Sequence, residues 1–125
     1  KSGLTYMAVE PEFVEKEMKV FFQDLSELIS SDLNEIEVFY FASLVHLRFA
    51  HIHPFRDGNG RAARLIEKWF ITEKLGHVFW KIPSEEYYKK NQTRYYETLN
   101  LGVNFYEMNN YKCIGFLEML PNCLK

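Results

Sequence analysis

His53, Asp57, Gly58, Asn59, Gly60, Arg61 and Arg64 all fall within the segment HPFRDGNGRAAR. Their types are the ones that chemistry on a nucleoside triphosphate requires: donors facing the phosphate oxygens, a ligand for a divalent cation, and a base for the proton of an attacking group. Gly58, Asn59 and Gly60 precede a helical pattern, so their backbone N–H groups can form an anion-binding nest at the positive end of the helix dipole. Arg61 and Arg64 lie three apart on that helix and share a face, where guanidinium forks suit phosphate oxygens. Asp57 offers the hard oxygen through which Mg²⁺ meets a protein when substrate phosphates supply its other ligands. His53, at the end of the preceding apolar stretch, is a candidate general base, histidine being the side chain that ordinarily changes charge near neutral pH. Taken singly, each has a plainer reading as a cap, a turn or a solvated surface charge. Their complementary roles within one short segment favour the functional reading.

The elements that must hold this segment are helical. From Pro11 to Ile29 the residues Val14, Met18, Phe21, Leu25 and Leu28 recur at spacings of three and four, which predicts an amphipathic helix opened by Pro11. The stretch from Asn34 to about His51 is apolar almost all round, as expected of a helix in the middle of a domain, with Asp32 and Glu35 spaced as a weak capping box. After Gly60 the pattern resumes with Ala62, Leu65, Ile66, Trp69 and Phe70 turned inward and Gly76 as the stop, so residues 34–76 read as a helix-loop-helix with Phe55 pinning the loop from the core. Pro83 and Ser84 open another helix carrying Tyr88, Tyr95, Leu99 and Val103, and a last one runs from about Asn110 to Leu120, closed by Pro121. Only Gly3 to Val9 reads as extended, by alternation of Leu4, Tyr6 and Ala8. The expected fold is an all-α bundle with a short N-terminal extended flap at about 2–8, in a single domain spanning 1–125.

Composition bounds the rest. With 47% hydrophobic, 17% aromatic and 26% charged residues, the sequence is that of a compact globular domain. A net charge of -2 argues against nucleic-acid binding through a broad basic surface. No stretch approaches the roughly 20 apolar residues of a membrane span, and the expectation is a soluble, cytoplasmic protein. Cys113 and Cys123 fit neither a disulfide framework nor a zinc ribbon. A first residue other than methionine suggests a piece of something longer. Oligomeric state leaves no mark in the sequence.

The segment resembles the signature of the Fic family, in which HPF, an acidic residue, GNGR and a further arginine define the active loop. His53, Pro54, Phe55, Asp57, Gly58, Asn59, Gly60, Arg61 and Arg64 match it position by position. The resemblance implies a Fic-type helical bundle and a protein adenylyltransferase, moving AMP from ATP to a Ser, Thr or Tyr hydroxyl of a target protein with release of pyrophosphate. It implies that His53 takes the hydroxyl proton and that Asp57 holds Mg²⁺ against the α- and β-phosphates. Gly58, Asn59 and Gly60 would then cradle the phosphates, Arg61 would neutralise leaving-group charge, and Arg64 would pair with the γ-phosphate. It also implies a flap, here Gly3, Leu4, Thr5, Tyr6 and Met7, that pairs with the target's backbone. Adenine would lie against a tyrosine pair matched by Tyr95 and Tyr96. The asparagine that reads adenine in some relatives falls on Val103, with Asn104 one position late.

The family's inhibitory pattern, S/T-x-x-x-E followed by Gly or Asn, has no match. The nearest segment, Thr93 to Glu97, is followed by Thr98. Arg64 is therefore expected to be free, unless a segment or partner outside this chain supplies the inhibitory group. Other readings stay open: a Fic-type transfer of another nucleotide or of a phosphoryl group, a nucleotide-binding module without turnover, and a metal hydrolase using His46, His51 and His53.

Overall fold

A computed structural model describes residues 6–125. Pro11, locked near helical φ and with no N–H to satisfy, opens α1 (Pro11–Ser30), which turns Phe21 and Leu25 into the core and half-buries Val14, Met18 and Leu28. The next helix, α2 (Glu35–Ile52), is the central one. It is closed at its start by a reciprocal box: Glu37 N–H donates to Asn34 Oδ1 and Asn34 N–H donates to Glu37 Oε1, both at 2.9 Å. The box therefore sits two residues beyond the expected pair, Asp32 and Glu35, because only the Asn34 side chain reaches the amide three residues on.

The all-round apolarity of α2 has a structural cause. Val38, Ala42, Val45, Phe49 and Ile52 join α1 and α3 in one core with Phe70 and Ile71. Leu47 faces a second core built from Tyr88, Tyr95, Phe116 and Met119. Burying each large side chain of this kind contributes roughly 1.5–3 kcal/mol, so two cores on one helix fix it firmly.

Helix α3 (Asn59–Leu75) packs against α2 and ends at Gly76, whose φ of 109° only glycine adopts without strain. Its inward stripe is Ala63, Glu67, Phe70 and Ile71. Leu65 and Trp69, expected inside, are 57% and 41% exposed. The stripe is rotated because Glu67, a residue that a hydrophobic pattern assigns to solvent, lies wholly inside.

A 3₁₀ turn, His77–Lys81, leads to α4 (Ser84–Lys90) and α5 (Gln92–Leu99). The single helix expected after Pro83 is thus divided at Asn91, whose φ of -114° leaves the helical range. Val103 lies beyond it and is exposed. A 3₁₀ turn at Asn110–Cys113 and two one-turn helices, α6 (Ile114–Leu117) and α7 (Met119–Asn122), complete the chain. Pro121 does not close the last helix but sits in its first turn, where a missing N–H breaks no helical bond.

The fold is all-α: among the described residues, β-pairing is confined to isolated bridges. One of them holds Met7, whose N–H donates to Val103 O and whose carbonyl accepts from Phe105 N–H, both at 3.0 Å. Among these residues no helix is long and apolar enough to cross a membrane.

Candidate active site

The segment 53–58 joins the end of α2 to the start of α3, and its shape follows from three local features. His53 caps α2 in the left-handed region, φ 55° and ψ 57°, and is the only non-glycine residue with positive φ among those described. Such a conformation costs a β-carbon-bearing residue roughly 1–2 kcal/mol. Gly58, at φ 86°, makes the second reversal and starts α3. Between them, Phe55 N–H donates to Asn59 Oδ1 at 2.8 Å and Asn59 Nδ2 donates to Phe55 O at 2.7 Å.

That clamp corrects the expected role of Phe55, which is 55% exposed and only edges toward Phe49. The buried Asn59 side chain pins the loop instead. Asn59→Ala removes both bonds and leaves the Phe55 amide without its partner. It is expected to cost about 1–3 kcal/mol, read as a lower midpoint in urea unfolding.

Among the described residues, none caps the N-terminus of α3 with its side chain. Its first intrahelical bond is donated by Ala62 to Gly58 O, so the amides of Asn59, Gly60 and Arg61 precede the ladder and are free to serve an anion. Both arginines fold back over the glycines. A β-carbon on Gly58 would come within 3.2 Å of Arg61 Nη2, and one on Gly60 within 3.0 Å of Arg64 Nη1. The glycines thus make room for the guanidinium groups as well as for the turn. Arg61 is exposed and 3.9 Å from Asp57, whose carboxylate is 97% exposed.

Arg64 is not free. Its Nε donates to Glu85 Oε1 of α4 at 2.8 Å, its Nη1 donates to the Tyr95 hydroxyl at 3.3 Å, and its guanidinium lies 5.8 Å from the centre of the Tyr95 ring. The expectation of an unpaired Arg64 rested on the absence of one sequence pattern, whereas the partner comes from a different helix.

The two tyrosines separate. Tyr96 is 59% exposed, but Tyr95 is buried among Tyr88, His46 and Phe116, so its ring is committed to the core and only Tyr96 presents a free face. Arg64, Glu85, Gln92, Tyr95 and Tyr96 line a cleft of about 510 Å³, within the range of small-molecule sites. A larger, mostly apolar cavity of about 760 Å³ lies between α1, α2 and residues 101–113 and contains none of the motif residues. Of the motif residues, Arg64 alone lines the smaller cleft.

Asn104 is occupied locally: its Oδ1 accepts from the amides of Tyr106 and Glu107, and its Nδ2 donates to Glu107 Oε1. Of the flap, Gly3, Leu4 and Thr5 lie outside the described residues. Tyr6 donates its hydroxyl to His51 O at 2.7 Å, and Met7 has already spent its N–H and carbonyl on residues 103–105. Met7 is therefore not the open edge that a pairing strand needs.

The metal-hydrolase reading fails on the same geometry. His46 is locked between Glu67 and Tyr95, and His51 Nε2 donates to Leu99 O. Among the described residues no group of three or more His, Cys, Asp or Glu could hold a metal ion. Asp57 alone, exposed beside an open helix N-terminus, fits a divalent cation that arrives on a triphosphate, not one caged by protein.

A family model described as Fic/DOC family matches residues 1–71, which takes in the whole loop and α1 to the middle of α3. The chain belongs to the Fic/DOC family. Its relatives include proteins named protein adenylyltransferase Fic. The sea anemone Nematostella vectensis protein is 45% identical over 56 residues, 45% of this chain and 12% of that protein. The Drosophila willistoni protein is 36% identical over 82 residues, 65% and 15%; the Drosophila grimshawi protein is 35% identical over 75 residues, 60% and 14%. The chain thus matches only about an eighth to a seventh of their length. No solved structure matches it. The Fic/DOC match ends before α4 and α5, so the side of the cleft formed by Glu85, Tyr95 and Tyr96 rests on geometry alone.

Proposed function

We propose that this Fic/DOC domain transfers AMP from ATP to a Ser, Thr or Tyr hydroxyl of a target protein. One observation carries the reading: the strained His53 opens a loop, clamped at Phe55 by Asn59, that leads into an uncapped helix N-terminus flanked by two arginines. His53 takes the hydroxyl proton as the hydroxyl oxygen attacks the α-phosphorus. The bond to the bridging oxygen on the β-phosphorus breaks, and pyrophosphate leaves on the opposite side. The amides of Asn59, Gly60 and Arg61 receive the phosphate oxygens, Arg61 meets charge on the leaving group, and Arg64 takes the terminal phosphate. Asp57 would hold Mg²⁺, which when bound would supply neutralisation of phosphate charge. The open face of Tyr96 suits stacking against the base.

Support for AMP as the group moved comes from the complete GNGR segment and from relatives named adenylyltransferase. The deciding experiment incubates the chain, with cell lysate as a source of targets, with ATP labelled at either the α- or the γ-phosphate. Protein label from the α position alone is expected. Label from γ alone would make the domain a kinase, and nucleotide binding with neither label would make it a silent binding module.

Before a triphosphate can use Arg64 it must displace Glu85, an exposed partner whose ion pair is worth at most about 1 kcal/mol. Glu85→Gln keeps the shape and removes the competing charge. It is expected to tighten ATP binding by about three- to fivefold in calorimetric titration; unchanged affinity would mean that Arg64 does not meet the triphosphate.

A further inference from the structure

Glu67 of α3 and His46 of α2 have no solvent exposure at all, a costly place for a carboxylate and an imidazole. Tyr88 donates its hydroxyl to Glu67 Oε1 at 2.8 Å, and His46 Nδ1 lies 3.0 Å from the same oxygen. His46 Nε2 lies 2.8 Å from the Tyr95 hydroxyl, which also receives Arg64 Nη1. A continuous chain of polar contacts therefore runs from the cleft to the centre of the molecule.

Donor and acceptor capacities fix its direction. A guanidinium only donates, so the Tyr95 oxygen accepts from Arg64. The phenolic hydrogen must then go to His46 Nε2, because among the described residues no other acceptor for it is recorded. His46 Nε2 is consequently bare and its proton sits on Nδ1, which points at the Glu67 carboxylate. Every bond runs the same way, from Arg64 to Glu67, joining a partly exposed guanidinium at the cleft to a carboxylate in the core. Burial pushes the Tyr95 phenol up to about 12, against the opposing pull of Arg64, so it keeps the proton that the chain requires.

We propose that Tyr95, oriented by His46 and Glu67, is the positioning residue that holds the Arg64 guanidinium at the mouth of the cleft for the terminal phosphate of a nucleoside triphosphate. This rests on the function proposed above. The two partners of Arg64 then have different fates: Glu85, exposed, yields to the phosphate, while Tyr95, buried, stays in place and spares Arg64 the entropy of being ordered on binding. Tyr95 lines the cleft beside Arg64, whereas His46 lies behind it and acts only through it.

Tyr95→Phe tests this, since it keeps the ring over which Arg64 lies and removes only the hydroxyl. ATP affinity is expected to fall about tenfold, with ADP affinity nearly unchanged, because ADP lacks the terminal phosphate. Equal losses for both nucleotides, or no loss for either, would overturn the proposal. A wild-type chain that binds neither nucleotide would remove the proposed function and this inference with it, a result distinct from an insensitive Tyr95→Phe. A second measurement needs no nucleotide: imidazole ¹⁵N spectra of the wild-type chain should show neutral His46 protonated at Nδ1, and protonation at Nε2 would break the relay.

Discussion

His53→Ala is expected to lower AMP transfer by about 10²- to 10⁴-fold, the usual loss when a general base is removed, while ATP affinity stays near that of the wild type. The ring of His53 is exposed and makes no hydrogen bond among the described residues, so its loss should hardly disturb folding. Its backbone supplies a sharper test. At φ 55° histidine pays the left-handed penalty, which glycine does not. His53→Gly is therefore expected to raise stability by about 1 kcal/mol and to be as inactive as His53→Ala. A more stable but silent variant would mark a strain retained for chemistry. Transfer is followed by label from the α-phosphate and stability by urea unfolding. Activity of His53→Ala within a few-fold of the wild type would remove His53 from the mechanism.

What could be read from the sequence was local. The stripe Val14, Met18, Phe21, Leu25 and Leu28 declares α1, because a helix of period 3.6 needs no distant partner to be recognised. The glycines at 58 and 60 declare an open helix N-terminus for the same reason, although α3 begins at Asn59, two residues before the start expected after Gly60. What could not be read depends on residues far apart in the chain. Glu67 points inward because His46, 21 positions earlier, and Tyr88, 21 positions later, meet it there, while the pattern alone puts Leu65 and Trp69 inside. Tyr95 leaves the exposed pair because its hydroxyl is claimed by His46, 49 positions away. Glu85 answers for Arg64 from another helix, where no spacing rule points. The Asn59 clamp was legible in principle: an asparagine four residues after Phe55, beside glycines, is placed to bond backbone.

Glu67→Leu is expected to destabilise the chain by about 3–5 kcal/mol, a large share of the roughly 5–15 kcal/mol typical of a whole domain. Leucine fills similar space, so the cost is not a cavity. It comes from leaving His46 Nδ1 and the Tyr88 hydroxyl buried with no acceptor. Were the network kept for stability, removing all of its members should be worse still. The opposite is expected: with Glu67→Leu, His46→Phe and Tyr88→Phe combined, only the Tyr95 hydroxyl loses its acceptor, while its oxygen still accepts from Arg64, and most of the lost stability should return. The wild-type network is itself imperfect, since the buried Glu67 Oε2 finds no partner among the described residues. A core selected for stability alone would be better served by carbon. The triple variant should therefore unfold near the wild-type urea midpoint and yet lose the preference for ATP over ADP, because Tyr95 no longer has His46 to orient its hydroxyl toward Arg64. Near-wild-type stability of Glu67→Leu alone would show that the carboxylate is not the anchor of the chain. A triple variant that keeps both stability and nucleotide preference would show that Arg64 needs no anchor.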